Sequence, residues 1–113
     1  MASYKVLGQA VPASTTAAGA ASNLTTLYSP SGVSAIVSTI TICNQTTSAQ
    51  TYRVSIRVAG AADTPKQYVA YDISLPGTAT DTLTLGVTLA TTDVISIAAS
   101  STSVAFNAYG SEV

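Results

Sequence analysis

TYRVSIRVA, at residues 51–59, alternates without interruption: Tyr52, Val54, Ile56 and Val58 fall on one side of an extended chain, and Thr51, Arg53, Ser55 and Arg57 on the other. A period of two belongs to a strand, because successive side chains of an extended backbone point to opposite faces. The stretch predicts a half-buried strand with its aromatic and branched face against a core. The pattern recurs downstream. In QYVAYDISL (67–75), Val69, Tyr71, Ile73 and Leu75 alternate with Tyr68, Ala70, Asp72 and Ser74 until Pro76 and Gly77 stop the run. This places Tyr52 and Tyr71 in the core. In DTLTLGVTL (81–89), Leu83, Leu85, Val87 and Leu89 share a face opposite threonines, with a bend expected at Gly86. Upstream, VSAIVSTITICN (33–44) sets Ile36, Ile40 and Ile42 against Ala35, Val37, Thr39, Thr41 and Cys43, small groups that predict a central strand covered on both sides. DVISIAAS (93–100) and SVAFNAYG (103–110) read as a closing pair of strands joined by a turn at 100–102.

Strands of similar length joined by turns at 44–50, 60–66, 76–80 and 90–93 predict an all-β protein, an antiparallel β-sandwich of jelly-roll or Ig-like type with about seven or eight strands. Residues 12–23 are almost all Ala, Ser, Thr and Gly with no apolar period, and read as an extended arm or linker. The expected organisation is an N-terminal strand and arm over 1–23 and one sandwich domain over 24–113.

Composition narrows the function. Only 8% of the 113 residues are charged, against about 25% in an average domain. With a net charge of −1, little repulsion keeps copies apart, which suits a subunit of an assembly. Four Lys and Arg against five acids leave no basic footprint for nucleic acid. The start lacks the pattern of a secretory signal and no apolar run reaches membrane length, so the expectation is a protein made in the cytosol and not embedded in a membrane. There is no histidine to serve as base in a Ser–His–Asp arrangement. Neither Lys5 nor Lys66 stands in a motif beside a serine nucleophile. Asp63, Asp72, Asp81 and Asp93 are spaced so that several could gather at one end of a sandwich around calcium. The preferred reading has Asp63, Asp81 and Asp93 flanking turns and Asp72 on an exposed strand face. No catalytic residue, cofactor or metal is expected. Asn23 and Asn44 each open a glycosylation tripeptide, which carries weight only in secreted eukaryotic proteins.

Arg53 and Arg57, about 13 Å apart on one strand face, are candidates to grip a partner's carboxylates, with solvated strand charges as the other reading. Tyr4, Tyr28, Tyr68 and Tyr109 are the freer tyrosines, a residue type common at protein interfaces. The candidate protein-contact residues are Tyr4, Lys5, Arg53, Arg57, Tyr68 and Tyr109.

YKVLGQ (4–9), TTLY (25–28) before Pro30, VSTITICN (37–44), TYRVSI (51–56), KQY (66–68), DTLT (81–84), GVTL (86–89) and FNAYGSE (106–112) together resemble small structural proteins of tailed bacteriophages, notably those infecting cyanobacteria. The resemblance spans nearly the whole chain and keeps the order of its strands. It implies a β-sandwich subunit of the virion, first of all a capsid decoration or cement protein. Its partners would be the major capsid protein and copies of itself in a symmetric oligomer such as a trimer, with the N-terminal strand and residues 13–23 as the reaching arm. The alternative it leaves is a tail, baseplate or fibre-associated component contacting host-surface glycans, for which exposed aromatics beside polar side chains would be needed.

Overall fold

The computed structural model describes residues 3–21 and 23–113. Met1, Ala2 and Ser22 of the expected arm lie outside the described residues. Eight strands form: β1 (Ser3–Ala10), β2 (Thr25–Tyr28), β3 (Ala35–Asn44), β4 (Gln50–Arg57), β5 (Tyr68–Leu75), β6 (Thr80–Leu89), β7 (Val94–Ala99) and β8 (Val104–Glu112), with two short 3₁₀ turns between β4 and β5. They build two four-stranded sheets, ordered β1-β8-β3-β6 (sheet I) and β2-β7-β4-β5 (sheet II), with every pairing antiparallel.

The order has a simple origin. β1 pairs with β8, β2 with β7, β3 with β6 and β4 with β5, as in one long hairpin turning between β4 and β5. Rolling that hairpin up adds the β3–β8 and β4–β7 pairings. The result is the eight-stranded jelly roll rather than the Ig-like alternative. β7 and β8, expected as a closing pair, therefore belong to different sheets, and the turn between them crosses the sandwich.

The core lies between the sheets. Tyr52, Val54, Ile95, Ile97 and Leu75 of sheet II meet Val37, Ile40, Ile42, Val104, Phe106 and Ala108 of sheet I. β4 and β8 alternate, with Tyr52, Val54, Phe106 and Ala108 buried on the core side. β4 is not the half-buried strand the sequence predicts, because Arg53 and Ser55 on its other side are buried as well. Val58, expected on the core face, lies past the end of the strand and is 68% exposed. Three other strands depart from alternation, β6 at Leu85, which is 40% exposed where Leu83, Val87 and Leu89 pack toward the core. In β3 the buried apolar residues are Ala35 and Val37, then Ile40 and Ile42, while Ile36 is exposed. Ser38 is an extra residue relative to β8, since Val37 pairs Gly110 and Thr39 pairs Tyr109. One inserted residue reverses the facing of everything beyond it. β1 and β6 carry irregularities at the same level, the latter where Gly86 takes φ 64°. A seam of bulges thus crosses sheet I around Tyr109 and bends it over the core.

In β5 the departure is larger. Ala70 and Leu75 are buried whereas Val69, Tyr71 and Ile73 are exposed, so Tyr71 is a surface residue and not the expected core residue. Asp72, at φ 51°, sits in a bulge between Ala70, opposite Val54, and Ile73, opposite Tyr52.

Close approach of strands selects glycine at Gly110, where a Cβ would run into the carbonyl oxygen of Ile36, but not at Gly86, where nothing would meet it. Gly110→Ala is expected to cost more than about 2 kcal/mol through displaced backbone, and Gly86→Ala about 1 kcal/mol, from its positive φ alone. Urea unfolding of the two variants measures the difference.

Candidate functional site

The two outer faces of the sandwich are unlike. On sheet I, Ala105, Asn107 and Tyr109 of β8 point outward between the buried Val104, Phe106 and Ala108. Residues directly paired across strands share a face. Cys43, Thr41 and Thr39 of β3, Thr80, Thr82 and Thr84 of β6, and Gln9 and Val6 of β1 therefore lie on the same side. Beyond the bulge seam Tyr4, Ile36 and Thr88 continue it. Among the described residues of this face none is charged. Lys5, Asp81 and Glu112, the charged residues of sheet I, alternate to the inner side at its rim.

Each inward charge is satisfied there. The Tyr52 hydroxyl crosses from sheet II to donate to Asp81 Oδ2 at 2.8 Å. The Tyr28 hydroxyl does the same to Glu112 Oε2 at 2.6 Å, while Lys5 Nζ lies 2.7 Å from Glu112 Oε1. Burial, reinforced by the neighbouring carboxylate, pushes both tyrosine hydroxyls well above their ordinary value. The Lys5 ammonium, then the Tyr28 hydroxyl, hold Glu112 below the usual carboxylate range.

The outer side of sheet II is covered instead. Residues 11–21 fold back over it: Thr16 N–H donates to the Ala99 carbonyl on β7 at 2.7 Å, and Gly19 N–H to Asp72 Oδ2 on β5 at 2.8 Å. Beneath them Arg53 is only 2% exposed. Its Nε and Nη2 donate to the two Asp72 oxygens at 2.6 and 3.0 Å, its Nη1 to the Ala20 carbonyl at 3.0 Å, and its Cζ lies 4.3 Å from the centre of the Tyr71 ring. The Arg53 guanidinium, against the opposing effect of burial and with help from Gly19 N–H, lowers the Asp72 carboxyl below its ordinary value. Asp72 in turn raises Arg53. Beside this pair opens a cleft of about 420 Å³, lined by Ala20, Ala21, Arg53, Asp63, Thr64, Pro65, Tyr68 and Tyr71. The Tyr68 and Tyr71 rings meet edge-to-face in its wall, with centres 5.0 Å apart.

The six residues singled out in the sequence thus divide. Tyr4 and Tyr109 share the uncharged face of sheet I, with Tyr4 85% exposed. Lys5 stands at its rim in an ion pair. Tyr68 lies in the opposite cleft. Arg53 is neither a solvated charge nor free to grip a partner, because its carboxylate is internal. Arg57 donates to Ser96 Oγ and the Ala61 carbonyl, which is likewise an internal engagement. Tyr28 is buried rather than free. The aspartates do not converge, and among the described residues no three His, Cys, Asp or Glu side chains gather. Asp93 accepts from the Ala59 and Ala90 N–H groups as a turn residue. Asp72, expected on an exposed face, is bound into the Arg53 pair.

Sequence reasoning missed Tyr71 in the cleft wall and the pairing of Asp72 with Arg53 beside it, since the β5 bulge that turns Tyr71 outward has no glycine or proline to announce it. It also missed Asn44, wholly buried, whose amide donates to the Ser48, Leu75 and Pro76 carbonyls and whose carbonyl accepts from Thr46 N–H. That amide ties three loop and strand ends together, leaving no place there for a glycan.

Fold and faces define a small jelly-roll domain with one bare neutral face and one strapped, cleft-bearing face. Models of known protein families, curated proteins and solved structures offer no match to this chain.

Removing one partner of a buried ion pair leaves the other uncompensated, so Arg53→Ala should destabilise by about 3 kcal/mol, the low end for such pairs because Asp72 is partly wet. Chemical denaturation measures it. The pH dependence has two limbs. Asp72 and Glu112 are depressed in the folded protein, so their contribution is present above the unfolded value of about 4 and is lost as pH falls below it. Tyr28 and Tyr52 are raised, so the unfolded chain ionises first and stability declines as pH rises above about 10. Tyr52→Phe should flatten the alkaline limb in denaturation curves taken across pH.

Proposed function

We propose that this chain is a non-enzymatic structural subunit of a virus particle, a decoration or cement protein that docks through the outer face of sheet I onto major capsid subunits. The observation that carries the reading is the absence of charge among the described residues of that face. Four strands about 4.8 Å apart and up to ten residues long span about 600 Å² in projection, comparable with the roughly 800 Å² of surface each partner contributes to a standard interface. A face of threonine methyls, tyrosines and branched side chains can be covered without stranding an ion away from water, a cost of several kcal/mol per unpaired charge. The low charge of the chain as a whole and its resemblance to phage structural proteins point the same way.

Repeated over a shell, many modest contacts of this kind add through avidity, particularly when copies also touch one another. A ligand that binds only the assembled state lowers its free energy by mass action, which is how a cement protein stabilises a capsid. Its place would be the capsid surface, reached after synthesis in the host cytoplasm. The cleft residues do not argue for catalysis, as the cation in the cleft is locked to Asp72.

Quantitative mass spectrometry of purified virions tests the placement. About one copy for every one to three major capsid subunits, surviving removal of the tails, is expected for a symmetric decoration protein. A count in tens that vanishes with the tails would assign the chain to the tail instead. Thr41→Lys, at the middle of the sheet I face, should leave stability within about 0.5 kcal/mol, yet reduce occupancy of capsids stripped of the protein and re-decorated by at least about tenfold. Unchanged occupancy would remove this face from the interface.

A further inference from the structure

We infer that the cleft between the strap and β5 is a binding site for neutral saccharides. Its size, about 420 Å³, falls within the range of small-ligand sites, about 300–1,000 Å³. The argument for the ligand class rests on what lines it. Tyr71, which strand alternation would bury, is turned outward by the bulge at Asp72 and is 52% exposed. It stands edge-to-face with Tyr68, both in the cleft wall. Aromatic faces carry negative charge density and attract the slightly positive C–H groups of a sugar ring, which form apolar patches on the faces of a pyranose. The ring of Tyr71 is held in place by the guanidinium stacked 4.3 Å from it, so the platform is pre-organised.

Polar groups complete the match. A guanidinium has five N–H groups, and the bonds to Asp72 and Ala20 engage three of them. Arg53 also lines the cleft, but with only 2% of its surface exposed it offers a ligand hydroxyl no more than an edge of the guanidinium. The Asp63 carboxylate, with several lone-pair directions, can accept from another hydroxyl alongside the contact it already makes. An anionic ligand fits poorly. The Arg53 charge is already compensated by Asp72, and Asp63 adds a negative charge to the wall. A plain hydrocarbon would strand both charged groups. A ligand that is neutral, rich in hydroxyls and apolar on one ring face satisfies the whole lining. The cleft lies on the opposite side of the sandwich from the sheet I face. A subunit docked through that face would present the cleft to the medium, although sugar binding does not depend on the docking.

Saturation-transfer NMR on the intact chain tests this, with galactose, mannose, glucose, N-acetylglucosamine and their short oligomers as probes beside sialic acid and a sulfated sugar. At least one neutral probe should receive saturation on its ring C–H protons, with a dissociation constant in the millimolar range. Its protons should also show nuclear Overhauser contacts to the Tyr71 or Tyr68 ring in the wild-type protein, a readout that needs no variant. Tyr71→Phe should retain binding and Tyr71→Ala weaken it by at least about tenfold. No transfer to any neutral probe, binding confined to the acidic sugars, contacts only to tyrosines of sheet I, or equal affinity in Tyr71→Ala with its fold intact would each overturn the assignment. A tail-like copy number in virions would sink the capsid reading and leave this one standing.

Discussion

Two tyrosines reach across the sandwich, and much of the molecule's character follows from where their hydroxyls end. Tyr52, packed edge-on against Phe106 with ring centres 6.2 Å apart, closes the gap between the sheets and places its hydroxyl on Asp81. Tyr28 does the same to Glu112 at another part of the rim. A buried hydroxyl needs a partner, and a carboxylate turned inward needs donors. Each solves the other's problem. Because the carboxylates of sheet I are taken inward, its outer side is left without charge.

The opposite sheet solves a different problem. Arg53 alternates to the outer side of β4, where the strap would otherwise bury an unpaired cation. The Asp72 bulge brings a carboxylate to meet it, and the same bulge turns Tyr71 out against the guanidinium. One ion pair therefore fixes the strap through Gly19 and Ala20, orders an aromatic wall and shapes the cleft. The strap has few large side chains and holds by hydrogen bonds and by the buried Pro12 and Thr16. Segments attached in this way open locally at lower free energy than the strands beneath them. The segment read from sequence as a reaching arm is folded back on its own domain in this structure.

Much of the fold was legible because alternation is a local property. The strand that the structure places at Gln50–Arg57, with Tyr52 and Val54 on its core side, and the turns at proline and glycine follow from adjacent residues, as does the all-β class. The candidate site was legible only in part. Tyr4 and Tyr109 were marked as contact residues, but nothing local joins them, and the pairing of β1 with β8 is what does so. Arg53 was marked as well, yet its burial depends on a strap and on a carboxylate nineteen residues away.

What the sequence by itself determined was the strand content, the core side of β4 and the scarcity of charge, all set by neighbours a few residues apart. Tertiary structure alone decided which strands share a sheet, where bulges reverse a strand's facing, and which polar groups are paired. Those outcomes turn on contacts between residues distant in the chain. Where an inserted residue falls, at Ser38 or at Asp72, is visible only in the register with the partner strand, and that register is not written in the strand that bulges.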